Sequence, residues 1–281
     1  MGGNILYQIL KKEQIGPDTY RMEVSAPRTA RRAQPGQFVM LRVNADSERM
    51  PLTIAGSSSE AGIVTIIFQA VGHSTRLLAA KEPGEGIHDF LGPLGKPAQL
   101  PDHGRVLCVG GGVGVAVVYP EVKALFEKGV HVDVIIGARN EKLLILEDEV
   151  RAVCNNLYIT TDDGSRGRKG LVTDVMKELF EAGEKYDEVI TIGPVIMMKF
   201  VSLLTKQYGI KTTASMNPIM VDGTGMCGGC RVTVGGESKY ACVDGPEFDA
   251  HQIDFDEAMR RLNTYKDDER HACEEDACHA R

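Results

Sequence analysis

Over the first hundred residues, apolar and polar positions alternate in short runs. "TYRMEV", "GQFVMLRV" and "IVTIIFQA" each carry apolar side chains near every second residue, the period of a strand with one buried face. Turn signals at Gly16-Pro17, Pro35-Gly36 and Ala61-Gly62 separate them. Many short strands without a long helical run predict a small antiparallel β barrel over residues 1–100. At Gly104 the rhythm changes. "RVLCV", "HVDVII", "LYIT" and "EVITI" are short branched-rich runs, and "VYPEVKALFEKG", "LLILEDEVRAV" and "LVTDVMKELFEAG" between them space apolar residues by three and four. Gly129 and Gly183 fall where helix C-caps belong. Strand and helix in alternation predict an α/β unit over residues 101–215, a parallel sheet covered by helices. In a third unit, residues 216–260, "CRVTV" and "SKYAC" form a hairpin turning near Gly235-Gly236. Residues 254–270 read as helical and charged, so residues 261–281 are expected to be a helical end and a mobile tail.

At 281 residues the chain is long enough for two domains with separate cores. Its net charge of −7 argues against a nucleic-acid binder. No apolar run reaches the length that spans a bilayer, so no membrane association is expected. "MGGNILYQILKKEQ" lacks the basic head and long apolar core of a secretory signal, and a cytoplasmic location is expected. Seven cysteines, three of them within sixteen residues, then read as metal or redox chemistry rather than a disulfide framework.

Three segments carry candidate chemistry. In the first, "RMPLTIAG" is followed by "FQAVGHSTRLL". Arg49 with Thr53 is a candidate to hold a phosphate and a ring edge. Gly72, Ser74 and Thr75 open a short helix whose N–H groups and hydroxyls suit a pyrophosphate. A surface ion pair and an ordinary N-cap are the alternatives, and His73 is read as a solvated loop residue. In the second, "VLCVGGGVGVAVVYP", a strand ends in glycines and a helix begins, the geometry that cradles phosphate. Gly110 and Gly112 fit a G-x-G-x-x-G frame, but position 115 is Val, so a tight turn without ligand stays open. "GARN", "TDDGS" and "GPVIMM" put glycine at three further strand ends, where parallel sheets bind ligands. Arg139, where an acid would mark NAD, hints instead at the 2′-phosphate of NADP.

The third segment is "VDGTGMCGGCRVTVGGESKYACVDG". Cys227, Cys230 and Cys242 have the spacing of the second to fourth ligands of a plant-type [2Fe–2S] site, C-x4-C-x2-C…C. The first position of that frame holds Asp222. A carboxylate keeps the anionic charge of a thiolate, and the neighbouring glycines let N–H groups turn toward cluster sulfides. Structural zinc with the same four ligands is one alternative. A cluster that recruits Cys108, Cys154, Cys273 or Cys278 is another. His271 and His279 flank the last two, in a segment that resembles a metal site by composition only.

In this order the three segments resemble the ferredoxin reductase-like superfamily with a C-terminal [2Fe–2S] segment, which includes the electron-transfer subunit of dihydroorotate dehydrogenase. "ERMPLTIA", "GHSTRLL", "SMNPIMVDGTGMCGGCRVTVGG" and "ACVDGPEFDAH", with Asp222 in place of a first cysteine, look nearer to one branch. That branch comprises the small subunits of NADH-dependent reduced ferredoxin:NADP oxidoreductases, also known as sulfide dehydrogenase beta subunits. The resemblance implies an oxidoreductase subunit that holds FAD between barrel and nucleotide domain and binds NAD(H) across it. It implies a larger flavoprotein partner carrying [4Fe–4S] clusters, and ferredoxin reached through the complex. Carried over by residue, FAD contacts fall on Arg49, Met50, Pro51, Leu52, Thr53, Phe68, Gln69, Ala70, Gly72, Ser74 and Thr75. Nucleotide contacts fall on Gly111, Gly112, Gly114, Gly137, Ala138, Arg139, Asp163, Gly193 and Pro194, and cluster ligation on Asp222, Cys227, Cys230 and Cys242. No catalytic acid, base or nucleophile is demanded, because hydride and electron chemistry belong to the cofactors. A dihydroorotate dehydrogenase subunit and a zinc-stabilised nucleotide-binding module are the competing readings.

Overall fold

The computed structural model describes residues 7–266. Six strands open it: β1 (Ile9–Gly16), β2 (Thr19–Ser25), β3 (Phe38–Arg42), β4 (Arg49–Ser58), β5 (Ile63–Gln69) and β6 (Asp89–Leu94). They pair antiparallel in the order β1-β2-β5-β4-β3-β6. Alternation sends Met22 and Val24, Val39 and Leu41, and Val64, Ile66 and Phe68 into one shared core with Phe90. Each such side chain, fully buried, contributes about 1.5–3 kcal/mol. Two short helices, α1 (Pro27–Ala30) and α2 (His73–Ala79), sit on the connections.

The second sheet is built from β7 (Arg105–Gly111), β8 (His131–Ala138), β9 (Asn156–Thr161), β10 (Arg168–Lys169), β11 (Glu188–Ile192) and β12 (Lys211–Ser215), all parallel. Helices α3 (Gly114–Glu127), α4 (Glu147–Arg151), α5 (Val172–Glu181) and α6 (Val195–Gln207) connect them. The order β10-β9-β8-β7-β11-β12 reverses direction at β7, which makes the carboxyl end of β7 a switch point where ligands bind. Gly129 and Gly183, at φ +80° and +90°, end α3 and α5 in the left-handed conformation that only glycine adopts cheaply.

The run "LLILEDEVRAV" departs from its helical period: only Glu147–Arg151 is α-helical. Leu146 stands at φ +59° and is buried together with Ile145 in the core beneath α3. Tertiary burial outweighs local propensity there. The helix α6 was not singled out by the period of its sequence, although its buried Val195, Met198, Val201, Ser202 and Thr205 follow the helical spacing.

The last unit is stitched into the others. β13 (Arg231–Val234) and β14 (Glu237–Tyr240) form the hairpin, turning at Gly235 and Gly236 with φ +60° and +81°. After α7 (Ala241–Asp244), β15 (Glu247–Asp249) pairs antiparallel with β12 as the seventh strand of the second sheet. The chain then enters α8 (Phe255–Leu262), capped by Asp254, whose side chain accepts the Glu257 N–H at 2.8 Å. One core joins Cys230 and Cys242 to Phe38 and Met40 of the barrel, Val195 and Met198 of α6, and Phe255 of α8. His271, Cys273, Cys278 and His279 lie outside the described residues.

Candidate functional site: a two-domain cleft above a cysteine loop

Where the carboxyl ends of the parallel strands face the barrel, a cleft of about 790 Å³ opens. Pro51, Thr53 and Gln69 line it from the barrel, and Gly111, Gly112, Gly114, Gly137, Ala138, Arg139, Gly193 and Pro194 line it from the parallel sheet. The lining is largely apolar and the polar groups are few, as in cofactor pockets.

The glycines are required by the geometry. A Cβ on Gly114 would strike the Ile192 carbonyl oxygen and Gly193, so the first turn of α3 packs directly on the end of β11. In the fingerprint frame that close packing belongs to the third glycine; here Gly114 supplies it one residue early, which explains why Val is tolerated at position 115. Gly112, at φ +56°, has nothing within 4 Å of where its Cβ would be, and its backbone is open to the cleft. These features fit a bound pyrophosphate.

Other candidates stand apart from this wall. The side chains of Met50 and Phe68 are buried in the barrel core, and Leu52 packs against it. They alternate with Arg49, Pro51, Thr53 and Gln69, which face the other way, so only their backbone is offered to a ligand. Arg49 is half exposed, with Nη2 3.9 Å from an Asp89 oxygen that Arg42 holds at 2.8 Å. Ala70 leaves the barrel edge, its N–H donating to Asp18 O at 2.7 Å. Gly72, Ser74 and Thr75 begin α2, where Gly72 N–H donates to the Thr75 hydroxyl at 3.0 Å; this is a local cap. Asp163 turns onto its own loop, accepting from Ser165 N at 2.9 Å and Ser165 Oγ at 2.6 Å, while Asp162 lines the cleft.

Sequence reasoning missed the cleft floor. Ser215, Met216, Asn217, Pro218 and Met220 line it, joined by Met197 and Phe200 of α6. The signal was present as methionine clustering in "IMMKF" and "SMNPIM", since methionine fills irregular apolar gaps. The same floor runs directly into the cysteine loop.

Cys230, at the end of that loop, and Cys242 of α7 are buried with their sulfurs 3.2 Å apart. Cys227 is exposed and its sulfur accepts the Gly229 N–H at 3.4 Å. Asp222 accepts from Thr224 N at 2.6 Å and from Cys227 N at 2.9 Å, and these hydrogen bonds, Thr224 first, hold its carboxyl below the usual range. Burial, then the Cys230 neighbour, pushes the Cys242 thiol up to about 12, and a Gly225 backbone contact works the other way. Among the described residues no three such side chains converge on one point as they stand. The donor set nevertheless fits a soft anionic-ligand site. Two adjacent buried sulfurs, a third on the same loop and a carboxylate hydrogen-bonded to that third residue lie together, and Gly223, Gly225 and Gly228 stand at positive φ, the conformation glycine adopts cheaply. Cys108 is buried in the core of the parallel sheet, remote from this loop in the fold, and Cys154 packs against the same core.

Residues 217–254 match the iron–sulfur cluster binding domain of dihydroorotate dehydrogenase B, and residues 108–203 match the oxidoreductase NAD-binding domain. A Thermotoga maritima protein described as a dihydroorotate dehydrogenase B (NAD(+)) electron transfer subunit homolog is 45% identical over 96% of this chain and 95% of its own. The chain belongs to the family of dihydroorotate dehydrogenase B electron transfer subunits and their homologues. An uncharacterized Clostridium beijerinckii protein from the adh 3′ region is 52% identical across 94% of this chain and 92% of its own. A solved chain from the NADH-dependent reduced ferredoxin-NADP oxidoreductase superposes with a TM-score of 0.92 at 45% identity, covering 98% of this chain and 99% of that one. The fold is therefore ferredoxin reductase-like, and the protein is an electron-transfer subunit of an oxidoreductase with FAD, NAD(H) and a [2Fe–2S] cluster as cofactors. The cluster match displaces the zinc reading.

Proposed function

We propose that this subunit takes electrons from NADH in the two-domain cleft and delivers them, through the cysteine loop, to a larger flavoprotein subunit with [4Fe–4S] clusters. When bound, FAD supplies hydride exchange with nicotinamide and single-electron release, and the cluster supplies a one-electron relay. The chain's own residues bind and orient. The Gly111–Gly114 turn and the N-terminus of α3 receive pyrophosphate, Pro51 and Thr53 with Gln69 face the flavin ring, and Arg49 answers a flavin phosphate. Asp222, Cys227, Cys230 and Cys242 hold the cluster. The assembled enzyme couples NADH, NADPH and ferredoxin, in the cytoplasm; no helix of the described residues is long and apolar enough to cross a membrane.

One observation carries this reading. The floor of the cleft, Ser215 to Met220, is the segment that leads into Asp222 and Cys227, so the two redox sites share a strip of backbone. Around the exposed Cys227, Met226 is 88% and Val221 59% exposed, an apolar rim suited to a partner subunit.

The test is a native pull-down with metal and flavin analysis, followed by stopped-flow reduction with NADH and NADPH. Recovery of a large iron–sulfur flavoprotein and faster reduction by NADH are expected. Recovery of a dihydroorotate-oxidising partner would shift the assignment to the dihydroorotate dehydrogenase branch, and faster reduction by NADPH would overturn the nucleotide preference.

A further inference from the structure

Glu121 lies on α3, about two turns beyond the glycine cradle, and is completely buried. Its carboxyl meets that of Glu247 on β15 within hydrogen-bond reach. Among the described residues neither Glu121 oxygen has a hydrogen-bond donor, and Glu247 Oε1 has none either. Three acceptor oxygens are thus gathered without a donor. Among the described residues the charged neighbour is Glu188 of β11, and it is engaged by Lys211 Nζ at 2.9 Å and Thr213 Oγ1 at 2.7 Å. From β7 the facing group is the buried thiol of Cys108. From the barrel, a Cβ at Gly36 would stand 3.1 Å from Glu247 Oε1, so that loop closes over the pair.

A fully buried Glu121 carboxylate beside a part-buried Glu247 whose Oε1 is itself covered is untenable with both ionised, since each loses hydration and repels the other. One proton between them removes the repulsion and turns two orphaned acceptors into a donor–acceptor pair, as in carboxyl dyads generally. We infer that Glu121 and Glu247 share a proton in the folded protein and form a proton-dependent clasp between the nucleotide helix α3 and the cluster segment. The clasp lies at a structural joint. α3 starts at the dinucleotide cradle, and β15 follows Cys242 after α7 and the Gly245-Pro246 bend. Burial raises both acids above the ordinary value; for Glu121, raised strongly, the Glu247 carboxyl adds to it, whereas for Glu247 the hydrogen bond with Glu121 works the other way and the Glu188 charge adds to burial.

The sign of the pH dependence follows. Above the ordinary glutamate value of 4.5 the unfolded chain releases these protons while the folded chain keeps one, so stability falls as pH rises until the clasp itself ionises. E121Q places an amide donor against the Glu247 carboxylate and reproduces the charge of the one-proton pair wherever Glu247 is ionised.

The experiment uses the purified, cofactor-loaded protein. Infrared spectra with carbon-13 carboxyl-labelled glutamate at neutral pH should show a protonated carboxyl band that disappears in E121Q and in E247Q. The thermal midpoint should fall with rising pH more steeply in the wild type than in E121Q, and alkaline pH should speed amide exchange along β15. Should neither variant fold, the labelled wild-type spectrum still decides. Absence of a protonated glutamate band at neutral pH, or equal pH slopes in wild type and E121Q, overturns the proposal.

Discussion

Asp222 and Cys227 are tied by a hydrogen bond of 2.9 Å from the Cys227 N–H to the Asp222 carboxylate, closing a loop of six residues across the first two positions of the ligand frame. The loop is thereby preformed with its carboxylate beside the exposed thiol. Asp222→Ala should make the cluster labile, with iron lost on desalting, whereas Asp222→Cys should keep it and shift its potential, because the new bond is more covalent at equal charge. Iron content and the electron paramagnetic resonance spectrum of reduced protein check this. Full iron and an unaltered spectrum in Asp222→Ala would remove Asp222 from the ligand set.

Arg49 shares its strand face with Pro51 and Thr53, both of which line the cleft. Loss of a charge-assisted contact costs about 1.5–3 kcal/mol, so Arg49→Ala should weaken FAD retention roughly 10- to 100-fold. The ratio of flavin to protein after gel filtration measures it. Full occupancy would leave Arg49 as a surface partner of Asp89.

Gly114 has no room for a methyl group. Gly114→Ala should cost about 1–3 kcal/mol in urea denaturation by forcing α3 away from Ile192 and Gly193. Gly209, whose Cβ would meet nothing, is the contrasting position, although its φ of +66° brings a smaller conformational cost. A stability loss at Gly114 no larger than at Gly209 would contradict the close-packing account.

At the amino end of the parallel sheet the buried Asp133 accepts from Arg105 Nη2 at 2.6 Å, Tyr186 Oη at 2.8 Å and Asn156 Nδ2 at 2.8 Å. Burial pushes its pKa up, but the hydrogen bonds together outweigh burial and hold it below the ordinary 3.8. Its contribution is complete above that value and is lost as pH falls through the lower folded value. Tyr186→Phe should therefore cost about 1.5–3 kcal/mol at neutral pH and less in acid. Urea midpoints at the two pH values test the direction, and an equal cost at both would refute it.

Hydrogen exchange over residues 218–229 should slow when the large subunit is added, because the apolar rim around Cys227 becomes covered. Unchanged exchange there would place the partner elsewhere.

Much of this architecture was legible because its periods are strong. Val106, Cys108, Val132 and Val134 alternate into one core, and the glycines at 129 and 183 mark helix ends that the backbone confirms. The short α4 was misread, since the apolar spacing around Ile145 and Leu146 reflects burial under α3 rather than a continuous helix. At the site, the glycine turn and the cysteine spacing are local and could be read in one dimension. The side-chain directions of Met50 and Phe68, the methionine floor and the Glu121–Glu247 meeting arise from pairings between distant segments, which no local pattern encodes.

The methionine-rich floor has a consequence for how this subunit can be divided. Because Met216, Pro218 and Met220 close the cleft from below while belonging to the strip that enters the ligand loop, the cluster segment cannot be detached as a plug-in module. Cutting the chain after β12 would leave no smaller flavin reductase behind. It would uncover the pocket, remove the edge strand β15 that shields β12, and strip Phe38 and Met40 of their packing partners. A lineage that dispensed with the iron–sulfur centre would have to rebuild the floor of this cleft at the same time.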